Sequence, residues 1–347
     1  MAIFLNNEDV AQLLTMSDTI EAVEKAYYEL GMGHAWNNPR IHTYGRAKNG
    51  ATHFLKVFTG TVPELGYSIL RIDSTLEHDE AEHATSRKVG SRHIGWLFMF
   101  SVETGDLEAI IEDKQLQRQR VGAMTGIAAK FLARENSHTV GIFGSGAQAG
   151  PQLEALCAVR KIQQINVYSP TKANREAFAA KMTQALNTEV AAVGSPKEAV
   201  IGCDIVVVAT NSNEPVFDGH WLEAGTYVSS IVNSDKHIPR TDLDDESFRR
   251  ASIIIVSTRD QIRNDEPTWL TGGLQRGTVG WDRIWEIAEL VCAKSPGRRN
   301  ENEITILKNN GLSVQFAGVG AAIMAKAKKR GLGRELPGFL FEKAYRT

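Results

Sequence analysis

The sequence predicts an α/β protein that combines a Rossmann-type doubly wound parallel sheet with a discontinuous α+β domain. Three observations lead to this prediction. The chain has 347 residues, 42% of them hydrophobic, which is enough apolar material for two domains. Short β-rich runs dominate residues 52–113. From Thr139 onwards, apolar strands alternate with helical segments, which is the pattern of a parallel sheet covered by helices.

Composition and charge argue against several classes of partner. The formal net charge is −2, with acidic and basic residues interleaved, so we expect no nucleic-acid and no membrane partner. Three cysteines stand far apart, at Cys157, Cys203 and Cys292, which predicts neither disulfides nor a metal site. No apolar run approaches the roughly 18 residues of a membrane span, and no signal-peptide pattern opens the chain. We therefore expect a cytoplasmic protein that acts on a small molecule.

The first domain is predicted to contain an amphipathic helix and an antiparallel sheet. Apolar residues recur at helical spacing over residues 18–31, behind Ser17 as an N-cap. Three β-rich runs follow, HFLKVF, YSILRID and GWLFMFSVETGDLEAII, and the last contains a turn at Thr104 and Gly105. Residues 74–91 are polar and charged without an apolar period, which predicts an exposed loop.

The second domain is predicted to alternate strands and helices. A helix rich in small residues, over residues 116–134, leads into the strand TVGIFG. A helix beginning at Ala147 follows this strand. The strand INVYS and a helix beginning at Thr171 come next, and then the strand EVAAVG, a helix beginning at Pro196 and the strand DIVVVAT. YVSSIV, ASIIIVS and EITILKNNGLSV supply further buried strands. The helix over residues 314–330 is expected to return to the first domain.

These elements predict the domain boundaries. One domain comprises residues 1–118 and 315–347, and the Rossmann dinucleotide-binding domain comprises residues 119–314. The first domain is discontinuous because the chain leaves it for the parallel sheet and comes back with its last helix.

A glycine-rich turn predicts where a dinucleotide binds. The strand TVGIFG runs into GSGAQA at residues 144–149, the GxGxxA form of the dinucleotide-binding fingerprint, and a helix follows. Gly144 permits the tight turn, Gly146 lets a pyrophosphate approach the backbone, and the helix N-terminus offers N–H groups and a positive dipole end. The predicted cofactor-binding residues of this turn are Gly144, Ser145, Gly146, Ala147 and Gln148.

Residues after the next strand predict which dinucleotide binds. A carboxylate there holds the ribose 2′-hydroxyl of NAD, whereas neutral and basic groups accept the 2′-phosphate of NADP. The segment YSPTKANR, residues 168–175, contains no acid. NADP(H) is therefore favoured, with NAD(H) as the alternative. The further residues predicted to bind the cofactor are Ser169, Thr171, Asn174 and Arg175, with Thr210 and Asn211 on the nicotinamide side.

Four segments of the chain resemble those of the ornithine cyclodeaminase/mu-crystallin family. They are Pro39–Arg40, LQRQRVGAMTGIAAKFLAR, VGIFGSGAQA and GRRNENEITILKNNGLSVQ. The resemblance implies a homodimer built on the N-terminal domain, a Rossmann domain, and a substrate site between them that faces the nicotinamide. Members of this family include cyclodeaminases, alanine dehydrogenases and reductases of ketimines.

The resemblance also implies roles for individual residues. Arg40 and Arg120 match arginines that bind the substrate carboxylate, a role that suits the rigid fork of a guanidinium. Arg71 stands where the family has a substrate-contacting lysine, and because arginine does not give up its proton near neutral pH, it keeps the electrostatic role and loses that of proton donor. Lys56, on the neighbouring strand, is the candidate to replace it.

Two further positions depend on the alignment with the family. With one inserted residue, the family's acidic residue aligns with Asp235, the candidate general base or ammonium partner, whose alternative role is an Asx turn. His237 beside it is a second candidate for proton transfer. A further family carboxylate is replaced by Phe316.

The predicted function is an NAD(P)-dependent oxidoreductase that acts on the C–N bond of a small amino or imino acid, of the ketimine reductase or amino-acid dehydrogenase type. One alternative is a cyclodeaminase-like ammonia lyase that uses bound NAD catalytically. Another is a non-catalytic, NADP-dependent protein that binds a small ligand. The arginine at position 71 and the missing ribose carboxylate count against the cyclodeaminase, whereas Arg71 and Phe316 leave room for the binding protein.

Overall fold

A computed structural model describes residues 2–77, 92–232, 234–235 and 239–337 of the chain. Over these residues the chain folds as two compact units. The first unit comprises the described parts of Met1–His78, Gly90–Arg120 and Leu312–Thr347, and the second comprises the described part of Val121–Gly311. None of the described helices has the length and apolarity needed to cross a bilayer.

Sixteen strands and ten α-helices occur in the described residues. The strands are β1 (Ile3–Leu5), β2 (Trp36–Asn37), β3 (Ile41–Arg46), β4 (Thr52–Val62), β5 (Tyr67–Glu77), β6 (Arg92–Ser101), β7 (Leu107–Glu112), β8 (Thr139–Phe143), β9 (Gln164–Tyr168), β10 (Glu189–Ala192), β11 (Ile205–Val208), β12 (Tyr227–Ser230), β13 (Ala251–Val256), β14 (Ile284–Glu286), β15 (Ile304–Lys308) and β16 (Arg334–Glu335). The helices are α1 (Asn7–Leu13), α2 (Met16–Met32), α3 (Asp113–Leu132), α4 (Ala149–Val159), α5 (Lys172–Leu186), α6 (Asp245–Arg250), α7 (Arg259–Asp265), α8 (Thr268–Arg276), α9 (Ile287–Val291) and α10 (Ser313–Arg330).

The first unit is built on a mixed sheet with the order β16-β1-β7-β6-β5-β4-β2, and β3 also pairs with β4. The long strands β4 to β7 pair antiparallel, which confirms the predicted antiparallel sheet. Their side chains alternate between the two faces, and one face is buried. Helix α10 packs closely on that face and on α2, because Gly320 lies against Met99 and Gly318 against Ala22. The buried apolar side chains of this face include Phe54, Phe58, Ile69, Leu97, Met99, Ala109 and Ile111.

The second unit is built on an eight-stranded sheet with the order β10-β9-β8-β11-β12-β15-β13-β14. Every neighbouring pair in it is parallel, which confirms the predicted doubly wound sheet. The chain runs outward from β8 to β10 on one side and from β11 onwards on the other. The order therefore reverses between β8 and β11, and the carboxyl ends of strands at such a reversal form the usual ligand crevice of open α/β sheets.

Three local predictions are wrong. Helix α2 begins at Met16 rather than residue 18, because Thr15, not Ser17, is its N-cap and forms a capping box with Asp18. The predicted helix at Pro196 is a single 3-10 turn over Lys197–Ala199, since few residues separate β10 from β11. Residues 74–77 of the predicted loop belong to β5, where they pair with both β4 and β6, and residues 78–91 lie outside the described residues.

Close packing of the 3-10 turn on β8 gives a test of the second unit. A Cβ on Gly141, in the middle of β8, would lie 1.8 Å from the Ala199 carbonyl oxygen. Because a backbone atom blocks it, we expect Gly141→Ala to lower the free energy of unfolding by about 2 kcal/mol, as overpacking does. Denaturant unfolding measures this change.

The matched control is Gly45→Ala in β3, where an added Cβ meets nothing within 4 Å. We expect this variant to keep the wild-type stability or to gain slightly. Equal stability of the two variants would contradict the close packing at Gly141.

Candidate functional site

The turn after β8 can be made only with glycine at position 144. Gly144 has φ of +108°, a backbone conformation that side chains rarely adopt. Its N–H donates to the Tyr168 carbonyl at 2.8 Å, and a Cβ on it would lie 2.3 Å from the Ala209 carbonyl oxygen. The turn is therefore pinned between the ends of β9 and β11, at the reversal of strand order.

Open space lies next to this turn. A Cβ on Gly146 would meet no protein atom within 4 Å in the described structure. Helix α4 follows, and its N-cap residue Gln148 makes no side-chain capping hydrogen bond to it. The first N–H groups of a helix have no intrahelical acceptor, and together with the helix dipole they favour an anion such as a phosphate. The turn thus fits the pyrophosphate of a dinucleotide.

The end of β9 brings three of the predicted cofactor residues together. Ser145 Oγ and Ser169 Oγ lie 3.0 Å apart. Arg175 donates from Nη1 to the Ser169 carbonyl at 3.1 Å, and its guanidinium lies 5.8 Å from the centre of the Tyr168 ring. No carboxylate occurs in residues 169–175. The positive charge of Arg175 is therefore fixed beside the tip of β9, where a ribose would lie.

The remaining residues predicted to bind the cofactor lie in the same unit. Thr171 is the N-cap of α5, and Asn174 is exposed in its first turn. Thr210 follows β11, and its methyl carbon would lie 3.4 Å from a Cβ on Gly144. Thr210 thus lies beside the glycine-rich turn. Asn211 is exposed, one residue farther along.

A buried ionic cluster occupies the carboxyl ends of β12 and β15. Lys308 Nζ donates to Asp242 Oδ1 and to Ser230 Oγ, both at 2.7 Å, and Ser230 Oγ also donates to Asp242. Both charged side chains are at most 2% exposed, so each depends on the other for its counter-charge. Asp235, the predicted general base, lies on the segment between β12 and Asp242 and is buried. His237 lies outside the described residues.

The first unit buries Arg71 between two carboxylates and two aromatic rings. Arg71 Nε donates to Asp113 Oδ2 at 2.6 Å, and Nη1 lies 3.3 Å from Asp73 Oδ2. Its guanidinium carbon lies 4.9 Å from the centre of the Phe58 ring and 4.8 Å from that of Phe316. The side chain is 2% exposed. Arg71 is therefore held in place, and Nη2 is its atom without a hydrogen-bond partner in the described structure.

Arg120 approaches the same aromatic ring. Its guanidinium carbon lies 4.6 Å from the centre of the Phe316 ring, and Nη1 donates to Gln315 Oε1 at 2.9 Å. Burial, reinforced by the charge of Arg71, lowers the pKa of Arg120 to about 9. Its Nε is buried without a partner among the described residues. The charge of Arg120 is thus poorly compensated, which is the property expected of a carboxylate-binding arginine.

Two carboxylates that the sequence reasoning missed complete this cluster. Burial alone would raise the pKa of Asp73, but hydrogen bonding to His93 and the charge of Arg71 outweigh it and hold that pKa below its ordinary value. Asp113 is fully buried, and a Cβ on Gly95 would lie 1.9 Å from its Oδ1. Strand alternation could have identified Asp73, which shares a face with Arg71.

Lys56 and Arg40 belong to the same region of the first unit. Lys56 in β4 pairs with Asp73 in β5 and with His42 in β3, so the three residues share one face of the sheet. Arg40 immediately precedes β3 and is 5% exposed. The structure therefore brings Arg71 and Arg120 together and places Lys56 on the same sheet face as Asp73. No group of three or more potential metal ligands occurs in the described part of the chain.

Comparison with known proteins adds an independent observation. The model of the ornithine cyclodeaminase/mu-crystallin family matches residues 1–330. The alanine dehydrogenase of Archaeoglobus fulgidus is 28% identical over 341 residues, which are 97% of this chain and 98% of that protein. The structure of Thermococcus litoralis Delta(1)-pyrroline-2-carboxylate reductase in complex with NADH and L-proline superposes with a TM-score of 0.85, at 28% identity over 96% of this chain and 100% of that one. An archaeal alanine dehydrogenase dimer with bound NAD gives a TM-score of 0.82 at 26% identity, over 97% of this chain and 99% of that one.

Proposed function

Since this chain belongs to the ornithine cyclodeaminase/mu-crystallin family, we propose that it is an NAD(P)-dependent oxidoreductase acting on the C–N bond of a small amino or imino acid. The observation that carries the proposal is the glycine-rich turn, with its open space at Gly146, ahead of a helix without a side-chain cap. The relatives named above are an alanine dehydrogenase and a pyrroline-2-carboxylate reductase, which both act at such a bond. The same chemistry is therefore proposed here.

In this proposal the second unit holds the dinucleotide. The space beside Gly146, at the positive end of the α4 dipole, receives the pyrophosphate, and Ser145 and Ser169 bind at the ribose end. A bound nicotinamide supplies or accepts the hydride. Thr210 and Asn211, beyond the carboxyl end of β11, line the nicotinamide side. The protein contributes binding and orientation of the reacting groups.

The substrate carboxylate is assigned to the arginines of the first unit. Arg120 is the main ligand, because its charge is buried and its Nε has no described partner. Arg71 offers Nη2 alone, since Asp113 and Asp73 occupy its other nitrogens. Arg40 is the third proposed ligand. Asp235 is proposed as the general base or ammonium partner, and Lys56 as a further proton-carrying group on the sheet.

We propose that the cofactor is NADP(H) in preference to NAD(H). The support is the absence of a carboxylate in residues 169–175 and the position of Arg175, which is held at the end of β9 by the Ser169 carbonyl and the Tyr168 ring. A guanidinium at that place pairs with a 2′-phosphate. The related structures contain NADH or NAD, so the preference requires its own test.

We further propose a homodimer formed through the first unit. The sheet face opposite α10 is apolar and half-exposed, and its side chains include Leu55, Val57, Leu70, Ile72, Trp96, Phe98, Phe100 and Ile110. A continuous apolar surface on one face of a sheet is typical of an interaction site. The two units are accordingly proposed as the substrate-binding and dimerisation domain and the dinucleotide-binding domain. We propose a cytoplasmic location, because Cys157, Cys203 and Cys292 form no disulfide in the described structure.

The function is tested by following reduced-nicotinamide absorbance with a panel of substrates. The panel contains 2-oxo acids with ammonia or methylamine, and cyclic imino acids. We expect at least one member to cause NADPH oxidation. Ammonia release from a diamino acid without net change in nicotinamide absorbance would instead indicate the cyclodeaminase reaction, and cofactor binding without either reaction would indicate a binding protein.

The control for this assay is Gly146→Asp. A Cβ at this position meets no protein atom within 4 Å, so the variant is expected to fold, whereas its carboxylate would occupy the pyrophosphate position with like charge. We expect loss of both cofactor binding and activity. Gly45→Asp adds the same charge at another open position and should leave both unchanged. Wild-type cofactor binding by Gly146→Asp would refute the assignment of the turn.

Cofactor preference is tested by Arg175→Glu. The substitution replaces the cation beside β9 with an anion that repels a 2′-phosphate and accepts a hydrogen bond from a 2′-hydroxyl. We expect the ratio of the Kd for NADH to that for NADPH to fall at least tenfold, which corresponds to about 1.4 kcal/mol. Lys181→Glu, on the same helix α5 and exposed, is the matched control. An unchanged ratio in Arg175→Glu would remove Arg175 from the cofactor site.

A further inference from the structure

A histidine connects the buried arginines of the first unit to solvent. His93 Nδ1 lies 3.0 Å from Asp73 Oδ1, and its Nε2 lies 3.9 Å from Asp113 Oδ1. The His93 side chain is 35% exposed, whereas that of Asp113 is fully buried. Asp113 Oδ1 has no hydrogen-bond partner among the described residues, and Asp113 Oδ2 accepts from Arg71. His93 Nδ1 therefore lies between the Asp73 carboxylate and Thr75 Oγ, which is also 3.0 Å away, while Nε2 lies near an unsatisfied, buried oxygen.

The register of the sheet creates this arrangement. Asp73 in β5 pairs with Gly95 in β6, and Thr75 pairs with His93, so the four positions share one face of the sheet. Gly95 lies between His93 and the rest of β6, and any side chain there would collide with the Asp113 carboxylate. Glycine thus keeps the path between His93 and Asp113 open. Thr75 also donates to Asp73, which fixes the carboxylate that holds His93.

The proposed reaction needs a proton that the arginines do not supply. In the reductive direction the carbon of the C=N bond accepts a hydride, whose two electrons come from the reduced nicotinamide, and the nitrogen accepts one proton. Arg71 and Arg120 keep their protons at neutral pH. Histidine is the side chain whose ordinary titration range covers neutral pH, and a histidine held by a carboxylate is a recurrent general acid.

We propose that His93 supplies this proton and passes it through Asp113, and that Asp73 positions the imidazole. This proposal rests on the proposed function. The N–H bond at His93 Nε2 breaks as Asp113 Oδ1 takes the proton, which then forms the new N–H bond of the amine product. Water returns a proton to His93 at its exposed edge. The 3.9 Å gap closes with a small rotation of the ring, since such hydrogen bonds are often long without substrate. The charged groups around His93 are Asp73 and Arg71 from β5, Lys56 from β4, and Asp113 and Arg120 from α3.

The first test is the pH profile of kcat for imine reduction. Reduction consumes one proton from His93, so we expect kcat to fall along the alkaline limb of the profile as the pH rises. We expect His93→Gln to lower kcat at neutral pH by about 100-fold, to lose this limb of the profile, and to keep the wild-type Kd for the cofactor. Added imidazole should restore part of the activity of His93→Ala.

His53→Gln is the matched control, because His53 lies on the opposite face of the same sheet, where its Nε2 lies 3.0 Å from Ser74 Oγ. It should keep the wild-type pH profile. Suppose that the wild-type enzyme reduces imines and that His93→Gln keeps both the wild-type kcat and the alkaline limb of the profile. This result would overturn the proton-supply proposal and leave the proposed function intact. A wild-type protein that reduces no substrate would instead refute the proposed function.

A second test does not depend on turnover. Nitrogen-15 NMR of labelled histidines, with His93 identified by its absence from His93→Gln, reports which ring nitrogen carries the proton. We expect the neutral imidazole of His93 to carry it on Nδ1, facing Asp73, and Asp73→Asn to shift it towards the other tautomer. A proton on Nε2 in the wild-type protein would overturn the proposal whatever the activity.

Discussion

The first unit depends on how it compensates a positive charge that it buries. Arg71 keeps its charge at any physiological pH, and 2% of its side chain is exposed. Asp113 and Asp73 balance this charge, and Phe58 and Phe316, whose ring centres lie 5.7 Å apart, both pack against the guanidinium. Removing one partner of a buried ion pair typically costs about 3–5 kcal/mol, so these contacts constrain the whole sheet face.

Because Asp113 and Asp73 balance the charge of Arg71, Arg120 is the buried cation whose charge is balanced less completely. Both arginines contact the Phe316 ring, which brings no negative charge, and burial beside Arg71 lowers the pKa of Arg120. A carboxylate ligand would relieve this imbalance, because the negative charge of Asp113 does not offset the burial of Arg120 beside Arg71. The proposed substrate class and the order of importance of the arginines follow from this balance.

Steric constraints, rather than charge, shape the turn of the second unit. Gly144 is confined by the Ala209 carbonyl and a positive φ, whereas Gly146 faces open space. These two glycines were predictable because the fingerprint lies between a strand and a helix, where local spacing determines the outcome. The parallel sheet was predictable for the same reason, since its buried strands are nearly continuous apolar runs.

The arginine cluster was predictable only in part. Arg40, Arg71 and Arg120 were found through the family resemblance, but Asp113 at the start of α3 binds Arg71 and Gln315 in α10 binds Arg120, and both partners are distant in sequence. Asp113 looks like a first-turn helix carboxylate, and nothing local shows that it is buried against Gly95. Helix ends also escaped prediction where a stronger cap competed, as Thr15 did with Ser17. Tertiary contacts determine these features, and the local sequence pattern does not reveal which residues make such contacts.

The most direct measurement follows the transferred hydrogen itself. The protein is given NADPH that carries deuterium at the transferable position of nicotinamide C4, together with the substrate found to oxidise it, and the product is analysed by NMR and mass spectrometry. The account predicts one deuterium on the α-carbon of a product amino acid, in amounts equal to the cofactor oxidised. Cofactor oxidation without deuterium on that carbon would contradict it.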